Sequence, residues 1–94
     1  MTSGETYSML LSIAARRETA VMACAREGKP GTRILGIEGS IELRRTSPEF
    51  QVSSSKGSVV FETADVLRIT PTAGREGRYW VVIKERDSRF INMD

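Results

Sequence analysis

Arg78-Tyr79-Trp80-Val81-Val82-Ile83-Lys84 is the stretch that decides the fold. Its β-branched centre, preceded by two aromatics, is strand chemistry. The loop Pro71–Gly77 leads into it, and Glu85-Arg86-Asp87-Ser88 turns it so that Arg89–Asn92 pairs back as a last strand. Neighbours on a strand point to opposite faces, so one of Tyr79 and Trp80 enters the core while the other either faces outward or is covered by the helix and fills core as well; which of them is exposed stays open.

Working back towards the start, the pattern stays β. Val66–Thr70 is a strand joined through the tight turn Thr63-Ala64-Asp65 to Ser58–Glu62, and Asp65 is expected to cap that turn through nearby backbone N–H groups. Ser53–Gly57 reads as a hairpin loop after a strand beginning at Phe50-Gln51-Val52, and Ser47-Pro48 breaks the preceding run. Thr32–Ile37 and Ser40–Arg45 alternate, with Glu38-Gly39 dividing them as a turn or bulge. Thr19–Ala25, ending at the Glu27–Gly31 turn, is apolar and fits strand or helix. Ahead of it, Tyr7, Leu10, Leu11 and Ala14 form one apolar helical face. Ser3 is a candidate cap, Glu5 suits the first turn, and Arg16-Arg17 suit the C-terminus, which predicts a helix over about 5–17.

One N-terminal α-helix followed by 5–7 short strands, from about 19 to 92, describes a mainly β single domain spanning 1–94. A sheet this small leaves two exposed edges when open, so a small closed or partly open β-barrel is expected. The 94 residues suffice for one core. No apolar run approaches the roughly 20 residues of a membrane span, and the lone Cys24 forms no internal disulfide. With no leader pattern at Met1–Tyr7, the expectation is a cytoplasmic protein without membrane contact.

Histidine is missing entirely, which removes the usual general base, the Ser-His and Cys-His pairs and the commonest zinc ligand. Cys24 sits in an apolar run and reads as core filler; a structural zinc site is excluded. Gly28-Lys29-Pro30-Gly31-Thr32 lacks the spacing of a phosphate loop and is a plain turn. No enzyme, no metal and no cofactor are expected.

Formal charge is only +2, yet 11 of the 14 cations are arginine, whose fork matches phosphate and carboxylate. Arg16-Arg17 and Arg44-Arg45 are paired, and Arg75, Arg78, Lys84, Arg86 and Arg89 gather around the last hairpin. On one rim, beside Tyr79-Trp80, such groups track phosphates while an exposed aromatic stacks a base. The competing view is a solvated face balanced by Glu42, Glu76, Glu85 and Asp87.

Val66-Leu67-Arg68-Ile69-Thr70-Pro71, Gly77-Arg78-Tyr79-Trp80-Val81-Val82 and Ser88-Arg89-Phe90-Ile91-Asn92-Met93-Asp94 together resemble the WYL domain, with the aromatic pair in reverse order. Ser58–Ile69 is similar to the last two strands and intervening tight turn of Sm-like barrels, the broad class to which the WYL domain belongs. The resemblance implies an Sm-like β-barrel and a regulatory module for nucleic acid or a nucleotide, often in prokaryotic or phage-defence settings. By matched position it implies Arg78, Trp80 and Arg89 as ligand-facing residues.

The expected function is therefore a non-catalytic module binding nucleic acid or a small nucleotide. The expected ligand-binding residues are Arg78, Trp80, Arg89, Arg44, Arg45, Tyr79 and Lys84. The alternative is a small protein–protein interaction or inhibitor protein, for example phage-borne and acting on a host defence complex. It would dock by an exposed strand or by the Tyr7/Leu10/Leu11 face. Homo-oligomers by edge pairing are expected under either.

Overall fold

The computed structural model describes residues 3–26, 28–44, 49–85 and 90–91. α1 (Ser3–Ala15) is followed by β1 (Thr19–Ala25), β2 (Arg33–Leu43), β3 (Glu49–Ser54) and β4 (Gly57–Glu62). A single 3-10 turn (Thr63–Asp65) then leads into β5 (Val66–Pro71), β6 (Arg78–Lys84) and β7 (Phe90–Ile91). The strands form one mixed sheet in the order β5-β6-β1-β2-β3-β4-β7. β1 and β6 run parallel, and the other neighbours are antiparallel.

The sheet is not a closed barrel. β5 and β7 are its two ends, and no ladder joins them among the described residues. It coils instead: the molecule measures 29 × 28 × 26 Å, nearly equal in every direction. The coiling is concentrated in β2, whose first part pairs with β1 and whose last three residues pair with β3. Two glycines make this possible. Gly36, at φ +75, sits in a bulge where Leu35, Gly36 and Ile37 all fit opposite Met22. A Cβ on Gly39 would lie 2.7 Å from the Ser53 carbonyl oxygen, so only glycine permits the crossing. Glu38-Gly39 is thus a pivot within one long strand rather than a divider between two.

β1 is a strand, which settles the choice the sequence left open. Flanked on both sides and buried on both faces from Ala20 to Cys24, it reads as an unbroken apolar run rather than an alternation. Its small residues suit that central place.

The core lies on the concave side of the sheet, with Phe50, Phe61, Leu10, Met22, Ile37 and Ile83 fully buried. Phe50 is ringed by Tyr7 (centroids 5.7 Å apart) and Phe61 (5.9 Å). Helix α1 caps this core with Leu10 and Ile13, while Tyr7 and Ala14 pack beside them. The expected Tyr7/Leu10/Leu11 docking face is therefore largely consumed, because the buried stripe passes through Ile13 and leaves Leu11 exposed.

α1 ends two residues before the expected 17. Glu18 N–H donates to Ile13 O (3.0 Å) and Arg17 N–H to Ala14 O (3.1 Å), with Arg17 left-handed at φ 56. These are the paired bonds of a Schellman cap, with arginine where glycine is usual. At the other marked turn, Glu62 N–H donates to Asp65 Oδ2 (2.9 Å), and Asp65 is buried. The turn-capping role expected of Asp65 is what the geometry shows.

Candidate functional site

Strand alternation on β6 decides which aromatic is available. Val81 and Ile83 face the core and Tyr79 packs against it, so Trp80 and Val82 point to the convex face of the sheet. Register carries the same face outward across the neighbours. Thr70 lies opposite Trp80 and Arg68 opposite Val82 on β5; Val21 and Ala23 follow on β1, and Ile34 pairs with Ala23 from β2.

A groove of about 230 Å³ runs over this face, lined by Thr32, Ile34, Arg68, Thr70, Trp80 and Val82. The Arg68 guanidinium Nη2 donates to Thr32 Oγ1 at 3.3 Å. β6 and β1 lie between β5 and β2 in the sheet, so this contact requires the coiled sheet and the chain before β2 to bring Thr32 within reach of Arg68. Ile34 is 64% exposed, unusual for an isoleucine on a sheet face, and it stands beside the half-buried Trp80. The groove thus combines an indole, an aliphatic wall, a guanidinium and two hydroxyls.

The seven expected ligand-binding residues are not brought together. Arg78, Trp80 and Lys84 share the convex face by alternation. Arg78 is half-buried and ion-paired to Glu38, so its charge is answered within the protein. Tyr79 is on the opposite face, its exposed part bordering a shallow depression of about 640 Å³ along α1. Arg44 lies in the other half of the sheet, with Nη1 donating to Gln51 Oε1 (3.0 Å) and Nε 3.6 Å from Glu49 Oε1. Arg45 and Arg89 fall outside the described residues.

Sequence reasoning missed Arg68, Thr32 and Ile34. The alternation Arg68, Thr70 on β5 was a usable signal for the first. Nothing local placed Thr32 and Ile34 beside Trp80, because that proximity arises from the β6-β1-β2 order.

Among the described residues, no three of His, Cys, Asp and Glu are placed to hold a metal ion. No helix among them is long and apolar enough to cross a membrane. The chain matches no protein-family model, no curated protein and no solved structure.

Proposed function

We propose that this chain is a non-catalytic binding module that takes an anionic ligand bearing a planar base, nucleic acid or a small nucleotide, on Trp80. One observation carries it: Trp80 turns away from the core and opens onto a groove spanned by the Arg68 guanidinium. An aromatic face stacks any base, a contact worth about 1–3 kcal/mol per base. A guanidinium adds bidentate recognition of phosphate or carbonyl oxygens. Ile34 gives the base a second apolar wall, and Thr32 and Thr70 offer hydroxyls to its edge. Among the described residues, the polar groups that line the groove are hydroxyls and a guanidinium, which recognise oxygen atoms. The principal cation in this site is Arg68; Arg78 takes a rim position behind Glu38. The Thr63–Asp65 turn between β4 and β5 stands where an Sm-like tight turn is expected, which supports a partly open relative of that class.

Trp80 is the only tryptophan in the chain, so its fluorescence reports on this groove alone. Saturable quenching by nucleotides or single-stranded oligonucleotides at low salt is the expected result. If neither ligand class changes Trp80 emission, the proposal fails.

The end position of β5 favours a second reading, a protein-interaction or inhibitor module that docks by strand addition. Its backbone edge has no ladder partner among the described residues. Light scattering after size exclusion separates the two. A monomer that binds nucleotide supports the first, and a stable complex insensitive to nucleotide supports the second.

A further inference from the structure

Helix α1 buries Leu10 and Ile13 against the core and presents a second seam along its open flank: Glu5, Met9, Ser12 and Arg16. These follow at intervals of four, three and four residues, the spacing of a helix–helix contact line. They border the depression of about 640 Å³, which Ile13 and Tyr79 also line. Met9 is 39% exposed there, a large apolar side chain with part of its surface in water.

This seam is its own complement. Glu5 and Arg16 stand at its two ends and Met9 and Ser12 at its middle, and both pairs are centred on the same point, between Leu10 and Leu11. A second copy of the helix, laid antiparallel about a two-fold axis through that point, sets Glu5 level with Arg16 of the other copy at each end. The same axis sets Met9 level with Ser12, so each copy offers a flexible knob where the other has a small side chain. At 1.5 Å per residue the charged ends are roughly 16 Å apart, too far to neutralise each other within one helix. The Arg16 side chain is 66% exposed and 3.9 Å from Glu18, a loose pair that leaves its fork accessible. Parallel packing would instead oppose Glu5 to Glu5 and Arg16 to Arg16, which like charges disfavour.

We infer that this chain associates with a second copy of itself through α1, as an antiparallel two-fold dimer with Met9 over Ser12 at its centre and Glu5–Arg16 ion pairs at both ends. The contact is one helix of 13 residues, about 20 Å long, and is smaller than a standard interface, so the dimer is weak and reversible. It does not rest on the ligand reading: α1 lies on the concave side of the sheet and Trp80 opens on the convex side, so pairing leaves the groove accessible.

The test is sedimentation velocity of the full chain at low salt, over about 10 µM to 1 mM protein, the range in which so small an interface associates. The wild type is expected to pass from monomer to dimer, and added salt should shift that transition to higher protein concentration. Glu5→Arg gives a helix with two positive ends and Arg16→Glu one with two negative ends, so each alone should weaken association about tenfold or more. An equimolar mixture of the two should associate like the wild type, because each variant supplies the charge the other lacks. Met9→Ala should weaken association with the salt dependence unchanged. Circular dichroism melts show whether each variant is folded, and if a charge variant is not, Met9→Ala decides. A wild type that stays monomeric throughout overturns the inference. A dimer untouched by these variants places the contact elsewhere, such as the β5 edge, and overturns it too. So does a mixture that associates no better than its components.

Discussion

β2 passes so close to β3 at Gly39 that a Cβ there would lie 2.7 Å from the Ser53 carbonyl oxygen. The obstacle is backbone, which cannot swing aside as a long side chain can. Gly39→Ala must therefore open the crossing on which the two halves of the sheet depend. Overpacking of this kind costs about 1–3 kcal/mol. A fall in Tm of roughly 4–8 °C for each of those kcal/mol is expected in a thermal melt followed by circular dichroism. An unchanged Tm would show that β2 is not pinned there.

Arg17 closes the cap of α1 in the left-handed region at φ 56, a conformation that costs a residue with a Cβ about 1–2 kcal/mol. Glycine adopts it freely but loses more chain entropy on folding. The net expectation for Arg17→Gly is a stabilisation of up to about 1 kcal/mol, read as a higher urea midpoint at constant slope. A lower midpoint would mean that the arginine makes a compensating contact.

Asp65 is buried and accepts the Glu62 N–H at 2.9 Å, holding the turn that swings the chain from β4 to β5. Asp65→Ala leaves the part-buried Glu62 N–H without this acceptor, at about 1–3 kcal/mol. The variant should unfold at lower denaturant, and amide exchange should quicken first around Thr63–Val66. Uniform acceleration through the whole sheet would contradict a local role.

Binding variants separate the groove from the arginine cluster. Trp80→Ala is expected to weaken nucleotide binding by about 1–3 kcal/mol, measured by calorimetry because the fluorophore is gone. Arg68→Met keeps the stem across Val82 but removes the fork, so affinity should drop while stability holds. Arg78→Gln and Arg44→Gln disturb partly exposed ion pairs with Glu38 and Glu49, the second also the Arg44–Gln51 hydrogen bond, and should change stability by about 1 kcal/mol or less. Their affinities should stay near wild type. A large loss in Arg44→Gln with none in Arg68→Met would place the ligand on the other half of the sheet.

Much of the fold was legible in residue order. Arg78–Lys84 is the strand that its β-branched and aromatic content predicts, and Thr63–Asp65 is the tight turn. The leading helix is present, although its buried stripe and its end differ from expectation. Gly39 misled because glycine within an alternating run signals a break as readily as a close approach, and only the Ser53 carbonyl distinguishes them. Arg17 misled because a cap usually announces itself with glycine. Of the candidate site, Trp80 was named, yet Arg68, Thr32 and Ile34 were not.

What the sequence alone determined is local: a helix followed by short strands, a chain without histidine, and an aromatic pair whose two members point to opposite faces of their strand. Those follow from propensity, composition and the two-residue period of a strand. Tertiary structure decided which aromatic faces outward and which cation stands near it. Both depend on strand order, β5-β6-β1-β2, which joins residues up to 50 positions apart (Thr32 to Val82) in one groove. Whether the sheet closes was likewise beyond local pattern, because closure depends on how far β2 bends at Gly36 and Gly39, and that bend is set by packing against β1 and β3.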